Sequence, residues 1–159
     1  MKNNTFKLLV TVTILVTLLS IFHLISLTIQ SIYISGLQGA EYGGAWNDKI
    51  LWGQIGIFVG RIIAGFCFYI SLALFMLKMT TNYKKGIIFP KSNIKLLYSC
   101  SLSYFIYSFC NINIDIMYAA NEHYLKLDTE DVVFTLLFVT FAMMYHLAER
   151  ISEENKLTI

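Results

Sequence analysis

Residues Leu96 to Tyr118 read LLYSCSLSYFIYSFCNINIDIMY, a run long enough to cross a bilayer that nevertheless carries a polar stripe. Ser101, Tyr104, Ser108, Asn111, Asp115 and Tyr118 follow one another at steps of 3, 4, 3, 4 and 3, which places them on one helical face. Against lipid such a face leaves polar groups without partners. The segment therefore predicts neighbouring helices, or a water-filled path, along that side.

The rest of the chain supplies candidates for those neighbours. Of its 159 residues 57% are hydrophobic and 14% charged, too apolar for an ordinary soluble domain, and the excess collects into four blocks. These are Leu8 to Ile29, Leu51 to Leu77, Leu96 to Tyr118 and Val132 to Ala148. At about 1.5 Å per residue the first three each cover the ~30 Å hydrocarbon core, and the fourth is near the lower limit. A soluble four-helix bundle would need a charged face on every helix, and residues 8 to 29 have none. The expectation is an all-α polytopic membrane protein, one domain over 1–159, with four transmembrane helices near 8–32, 51–78, 96–118 and 132–151. The apolar run after MKNNTFK is too long for a secretory signal and no A-x-A site follows, so it reads as an uncleaved first helix.

Lysine placement sets the orientation. Nine of the twelve basic residues (Lys2, Lys7, Lys78, Lys84, Lys85, Lys91, Lys95, Arg150 and Lys156) fall on one side of that plan, against Lys49 and Lys126 on the other. The positive-inside rule then puts both termini and the lysine-rich central loop in the cytoplasm of a multi-pass cell-membrane protein. Five of those lysines lie at the ends of that loop, where anionic membrane lipid attracts each by about 1 kcal/mol. A net charge of +2 is too small to suggest direct nucleic-acid binding.

Within the segments, Arg61 stands out. It lies ten residues after Leu51, about 15 Å along the helix and close to the midplane, where an arginine needs an anionic or carbonyl partner. Asp115 is the best candidate, with His23 at a comparable level and Asn111 beside it. His23, Arg61, Asn111 and Asp115 thus form the expected intramembrane polar cluster. It reads either as an ion pair fixing helix register or as a ligand or proton site. Gly56, Gly60 and Ala64 read as a packing groove for another helix, within the chain or in a second copy. Cys67, Cys100 and Cys110 read as buried thiols, and His123 beside Glu122 is a poor metal signature. No nucleophile and base pair, metal-ligand set or phosphate-binding glycine loop is visible, so neither enzyme nor cofactor is expected. Thr129, Glu130 and Asp131 suit a helix start.

Two stretches carry a family likeness. GIIFPKSNIKLL, from Gly86 to Leu97, and AERISEENKLTI, from Ala148 to Ile159, resemble the bacterial inner-membrane proteins grouped as domain of unknown function 2975. Gly86, Phe89 and Asn93 match that family's loop, and Glu153, Glu154, Asn155, Leu157 and Thr158 its tail. Lys156 and Pro90 depart from the pattern. The resemblance implies four helices and genomic proximity to small helix-turn-helix regulators, and it implies no activity. Gly86, Phe89, Asn93, Glu153, Glu154 and Asn155 become, on that reading, a cytoplasmic surface for such a partner. Two functions are expected: a non-enzymatic sensor or anchor for a regulator, or a small homo-oligomeric transporter or channel subunit whose third-helix stripe lines a polar path.

Overall fold

A computed structural model describes residues 2–40, 51–114 and 125–157, and every element in them is a helix: α1 (Lys2–Ala40), α2 (Leu51–Lys84), α3 (Lys91–Ile112) and α4 (Thr129–Leu157). Three of these helices are long and apolar enough to cross a membrane, over Asn4–Ile32, Trp52–Lys84 and Thr129–Asn155. The described part of α3, expected as another span, is less apolar because serine, tyrosine and asparagine dilute its leucines and phenylalanines. The fourth helix is longer than expected. Its charged flanks stay helical at both ends, so a segment expected to be barely long enough has 27 residues to span with.

The other boundaries move for local reasons. α1 continues past the expected residue 32 through Gly36 and Gly39 to Ala40; residues 41–50, with Glu41, Trp46 and Asp48, lie outside the described residues. α2 runs six residues beyond 78. It stops in a Schellman turn, with Ile87 N donating to Asn82 O at 3.0 Å and Gly86 N to Tyr83 O at 3.0 Å. Gly86 takes φ +77° there, which a side chain would disfavour. Pro90, at φ −74° and ψ 132°, then starts α3 at Lys91, five residues ahead of expectation. α3 closes at Ile112 where Asn113, almost fully buried, turns its amide onto the far connection. Its Nδ2 donates to Phe109 O and Lys126 O, and its Oδ1 accepts from Lys126 N at 2.7 Å.

The helices run alternately up and down in an open row. α1 packs on α2, α2 on α3 and α3 on α4, whereas α1 and α4 do not meet. Pairings fix a constant register from end to end. Along the first interface Phe6 stacks on Tyr83, Thr13 bonds Thr80, His23 stacks on Tyr69 and Gln30 meets Arg61. Along the second, Ser71 bonds Ser99, Phe68 meets Tyr104 and Arg61 bonds Asn111. The outward faces of α1 and α4 are leucine, isoleucine, valine, phenylalanine and methionine almost throughout, a surface suited to hydrocarbon and not to water.

Two glycines permit the close approach. A methyl group on Gly60 would come within 2.9 Å of Cys110 Sγ, and one on Gly65 within 2.6 Å of Leu27 and 3.0 Å of the Tyr107 ring. Gly56, expected in the same groove, meets no neighbour within 4 Å among the described residues. The small-residue stripe thus serves contacts inside the chain from Gly60 inward and leaves that role at Gly56. Overpacking predicts that Gly65→Ala destabilises the protein by roughly 1–3 kcal/mol. Gly56→Ala should be neutral or slightly stabilising, by up to about 1 kcal/mol, through helix propensity. Denaturant titration in detergent micelles distinguishes the two.

Candidate functional site

Of the described α3 stripe Ser101 and Ser108 are buried among the chain's own helices, Tyr104 is half-buried and Asn111 is exposed. Ser101 Oγ donates to Thr135 O at 3.1 Å and Tyr104 Oη to Asp131 Oδ1 at 3.1 Å, both on α4, and Ser108 is buried. On the α2 side Asn111 Oδ1 accepts from Arg61 Nε at 3.0 Å. Each hydrogen bond satisfies a group that lipid could not, so the polar residues act as interhelical ties. Asp115 and Tyr118 lie outside the described residues.

Arg61 is 4% exposed. Besides Asn111 it reaches Gln30 on α1, donating from Nη2 to Oε1 at 2.6 Å, so one guanidinium joins three helices through two amide oxygens. Its Nη1 is buried without a hydrogen-bond partner among the described residues. The interhelical register also relocates it. Gln30 immediately follows the apolar run of α1, and Arg61 is seventeen residues, about 25 Å, from Lys78. It therefore sits in the third of α2 away from the lysines. His23 does not join it. The imidazole stacks on Tyr69 with centroids 5.1 Å apart, and is seven residues, about 10 Å, from Gln30.

Gln30 escaped sequence reasoning because one amide at the edge of an apolar run looks like the end of a helix. Its signal was depth. Counted from the lysine end, Gln30 and Asn111 reach the same level as Arg61.

A second polar assembly closes the opposite end. Asn93 is completely buried, with Nδ2 donating to Tyr145 Oη at 3.2 Å, and that hydroxyl donates in turn to Ile88 O at 3.3 Å. Asn93 Oδ1 has no partner among the described residues. Phe75 and Phe89 close edge-on around the Tyr145 ring at 6.0 and 5.2 Å, over Leu97 and Ala142. This clamp explains Asn93 and Phe89. Asn93 is turned into the protein, away from the surface expected to meet a partner, while Phe89 is half-buried against the Tyr145 ring. Tyr145 was missed because a tyrosine at a membrane border ordinarily reads as an interfacial anchor.

Next to the clamp the central loop is tied to α4. Lys91 Nζ lies 2.9 Å from Glu153 Oε1 and 3.5 Å from Glu149 Oε1, the latter a buried carboxylate oxygen that the lysine approaches without a well-aligned hydrogen bond. The hydrogen bond to Glu153, then the charge of Glu149, raise the Lys91 ammonium above its ordinary range. That contribution is complete at neutral pH and is lost only as pH climbs through the raised value. Glu153, Glu154 and Asn155 are exposed, as is Gly86. Cys100 and Cys110 are buried and Cys67 is exposed. No three His, Cys, Asp or Glu side chains gather as a metal site among the described residues.

No protein-family model, curated protein or solved structure matches this chain.

The clamp is testable as a unit. Removing one partner leaves the other buried and unpaired, so Tyr145→Phe and Asn93→Leu should each cost roughly 1–3 kcal/mol. The double variant should lose less than their sum by at least about 0.5 kcal/mol, measured as a double-mutant cycle on unfolding in micelles.

Proposed function

We propose that the chain is a non-enzymatic, four-span protein of the bacterial inner membrane. Both termini face the cytoplasm, and it holds a small helix-turn-helix regulator at the membrane. The fourth span is α3, whose buried serines face α2 and α4 while Leu102 and Ile106 remain exposed for lipid. The lysines at both ends of the central loop supply the orientation. The likeness to the family of domain of unknown function 2975 supplies the partner class.

The observation that carries the reading is the Lys91 bridge to Glu149 and Glu153. It joins the two family-like stretches, far apart in sequence, into one surface beyond the Asn93 clamp. Glu153, Glu154 and Asn155 are exposed on the last turns of α4, where a basic DNA-binding protein finds complementary charge. Asn93 and Phe89 shape this surface from beneath. A polar conduit is disfavoured, since the described stripe residues spend their hydrogen-bonding capacity on neighbouring helices.

Pull-down from native membranes tests the partner. Glu154→Gln with Asn155→Ala leaves the Lys91 bridge and the clamp in place and should release the regulator, whereas Gly56→Ala should retain it. Equal recovery from wild type and the tail variant contradicts the reading. Reporter fusions at residues 45 and 125 should both report the external side.

A further inference from the structure

We propose that the Arg61 guanidinium is the centre of a binding site for one singly charged oxyanion, entering from the end of the helical row away from the lysines. The site depends neither on the regulator nor on the side to which the termini face.

Arg61 is almost wholly buried, and a guanidinium, unlike an amine or an imidazole, does not escape burial by losing its proton. A full positive charge is therefore held inside the row. Buried charges are paired, yet the described carboxylates do not pair with this one. Asp128, Glu130, Asp131, Glu149, Glu153 and Glu154 all lie on α4 or just ahead of it, on the helix whose backbone meets only α3. Arg61 bridges the opposite side of the row, from α1 to α3.

What Arg61 holds is two neutral amide oxygens, Asn111 Oδ1 on Nε and Gln30 Oε1 on Nη2. They occupy two of its three nitrogens. Nη1 is buried and donates to nothing among the described residues. Amide oxygens, or a water at Nη1, would satisfy hydrogens and leave the charge uncompensated, which is the costly state for a buried ion. The unused donor and the missing counter-charge belong to the same group, and one oxyanion at Nη1 answers both.

The surroundings set the approach. One turn along α2 toward the lysines, Leu27 of α1 and the Tyr107 ring of α3 close over Gly65, where even a methyl group would come within 2.6 and 3.0 Å of them. Nothing enters from that side. On the other, the amides that cover Arg61 belong to exposed residues. Gln30 is braced, its Nε2 donating to Ser26 Oγ at 3.2 Å, whereas the Asn111 side chain is held among the described residues by Arg61 alone. Turning Asn111 about its own side-chain bonds uncovers Nη1. The charge of the ligand follows from its setting: one cation among neutral amides suits a monoanion, since a dianion would bring a second charge in unpaired. A carboxylate and a phosphodiester both qualify, the one from a soluble organic acid and the other from a lipid headgroup.

The probes are acetate and dihexanoyl phosphatidylglycerol, titrated by calorimetry into purified, delipidated full-length protein in detergent, with sodium chloride as the reference salt. Wild type should take up one equivalent of a probe saturably and show no saturation with chloride. Saturation by acetate assigns the source to soluble acids; saturation by the lipid alone assigns it to headgroups. Arg61→Gln should weaken that binding by roughly tenfold or more, the loss of a hydrogen bond to a charged group. Should that variant fail to fold, selective isotopic labelling of arginine answers the same question in wild type. The Arg61 guanidinium resonances should then shift along the binding curve while those of Arg150, the chain's other arginine, stay in place. Asp115→Asn should bind as wild type does. The proposal is overturned if neither probe binds, if chloride saturates equally, if binding survives Arg61→Gln or leaves the Arg61 resonances unmoved, or if it appears only in Asp115→Asn, which would make the chain's own carboxylate the partner.

Discussion

A polar helical face cannot be left against lipid, and most of this architecture follows from covering the one on α3. Ser101 and Tyr104 are taken by α4, Asn111 by Arg61 of α2, and Asn93 by Tyr145 of α4. Flanked by α2 and α4, α3 turns its serines inward and keeps Leu102 and Ile106 on its exposed side. The flanking helices carry that burden with leucine, isoleucine, valine, phenylalanine and methionine on their outward faces. Without the hydrophobic effect to drive helix association inside a membrane, close packing and hydrogen bonds hold the row together, and Gly60 and Gly65 bring the backbones near enough for both.

Two polar assemblies lie at opposite ends of this row and differ in character. At one, Arg61 joins α1, α2 and α3 through neutral amides. At the other, Asn93, Tyr145 and the Ile88 carbonyl lock the central loop onto α4, and Lys91 extends the lock to Glu149 and Glu153. Between them aromatic and aliphatic packing is interspersed with hydrogen bonds from Ser71 to Ser99 and from Ser101 to Thr135, and α1 never reaches α4.

Apolar blocks, lysine asymmetry and the stepped polar stripe made the helical plan legible in the sequence, along with the need to cover α3. Glycine and proline signals placed the central turn but not its width, because both helices beside it extend into lysine-rich sequence that carries no break. Depth along one helix was poorly legible. Arg61 counts to the midplane from Leu51, and only its pairing with Gln30 reveals that the first turns of α2 lie beyond the apolar run of α1. The clamp was illegible for a different reason. Asn93 and Phe89 were visible as distinctive letters, yet family-like wording in a loop suits a docking surface and a folded lock equally, and the buried tyrosine that decides between them lies fifty-two residues away.

A chain that spends buried polar groups on its own helices leaves its lysine-rich end as the part open to others, and this connects the α3 stripe to the proposed anchor. Thiol accessibility in native membranes addresses that link most directly. With Cys67, Cys100 and Cys110 replaced by serine or alanine, single cysteines at Ser101 and Ser108 are challenged with a charged, membrane-impermeant maleimide from either side. An enclosed stripe predicts that neither position reacts while a cysteine at Glu154 labels fully. Rapid modification at both Ser101 and Ser108 would mean that water lines α3, and the account of this helix as tied into the chain's own packing would be wrong.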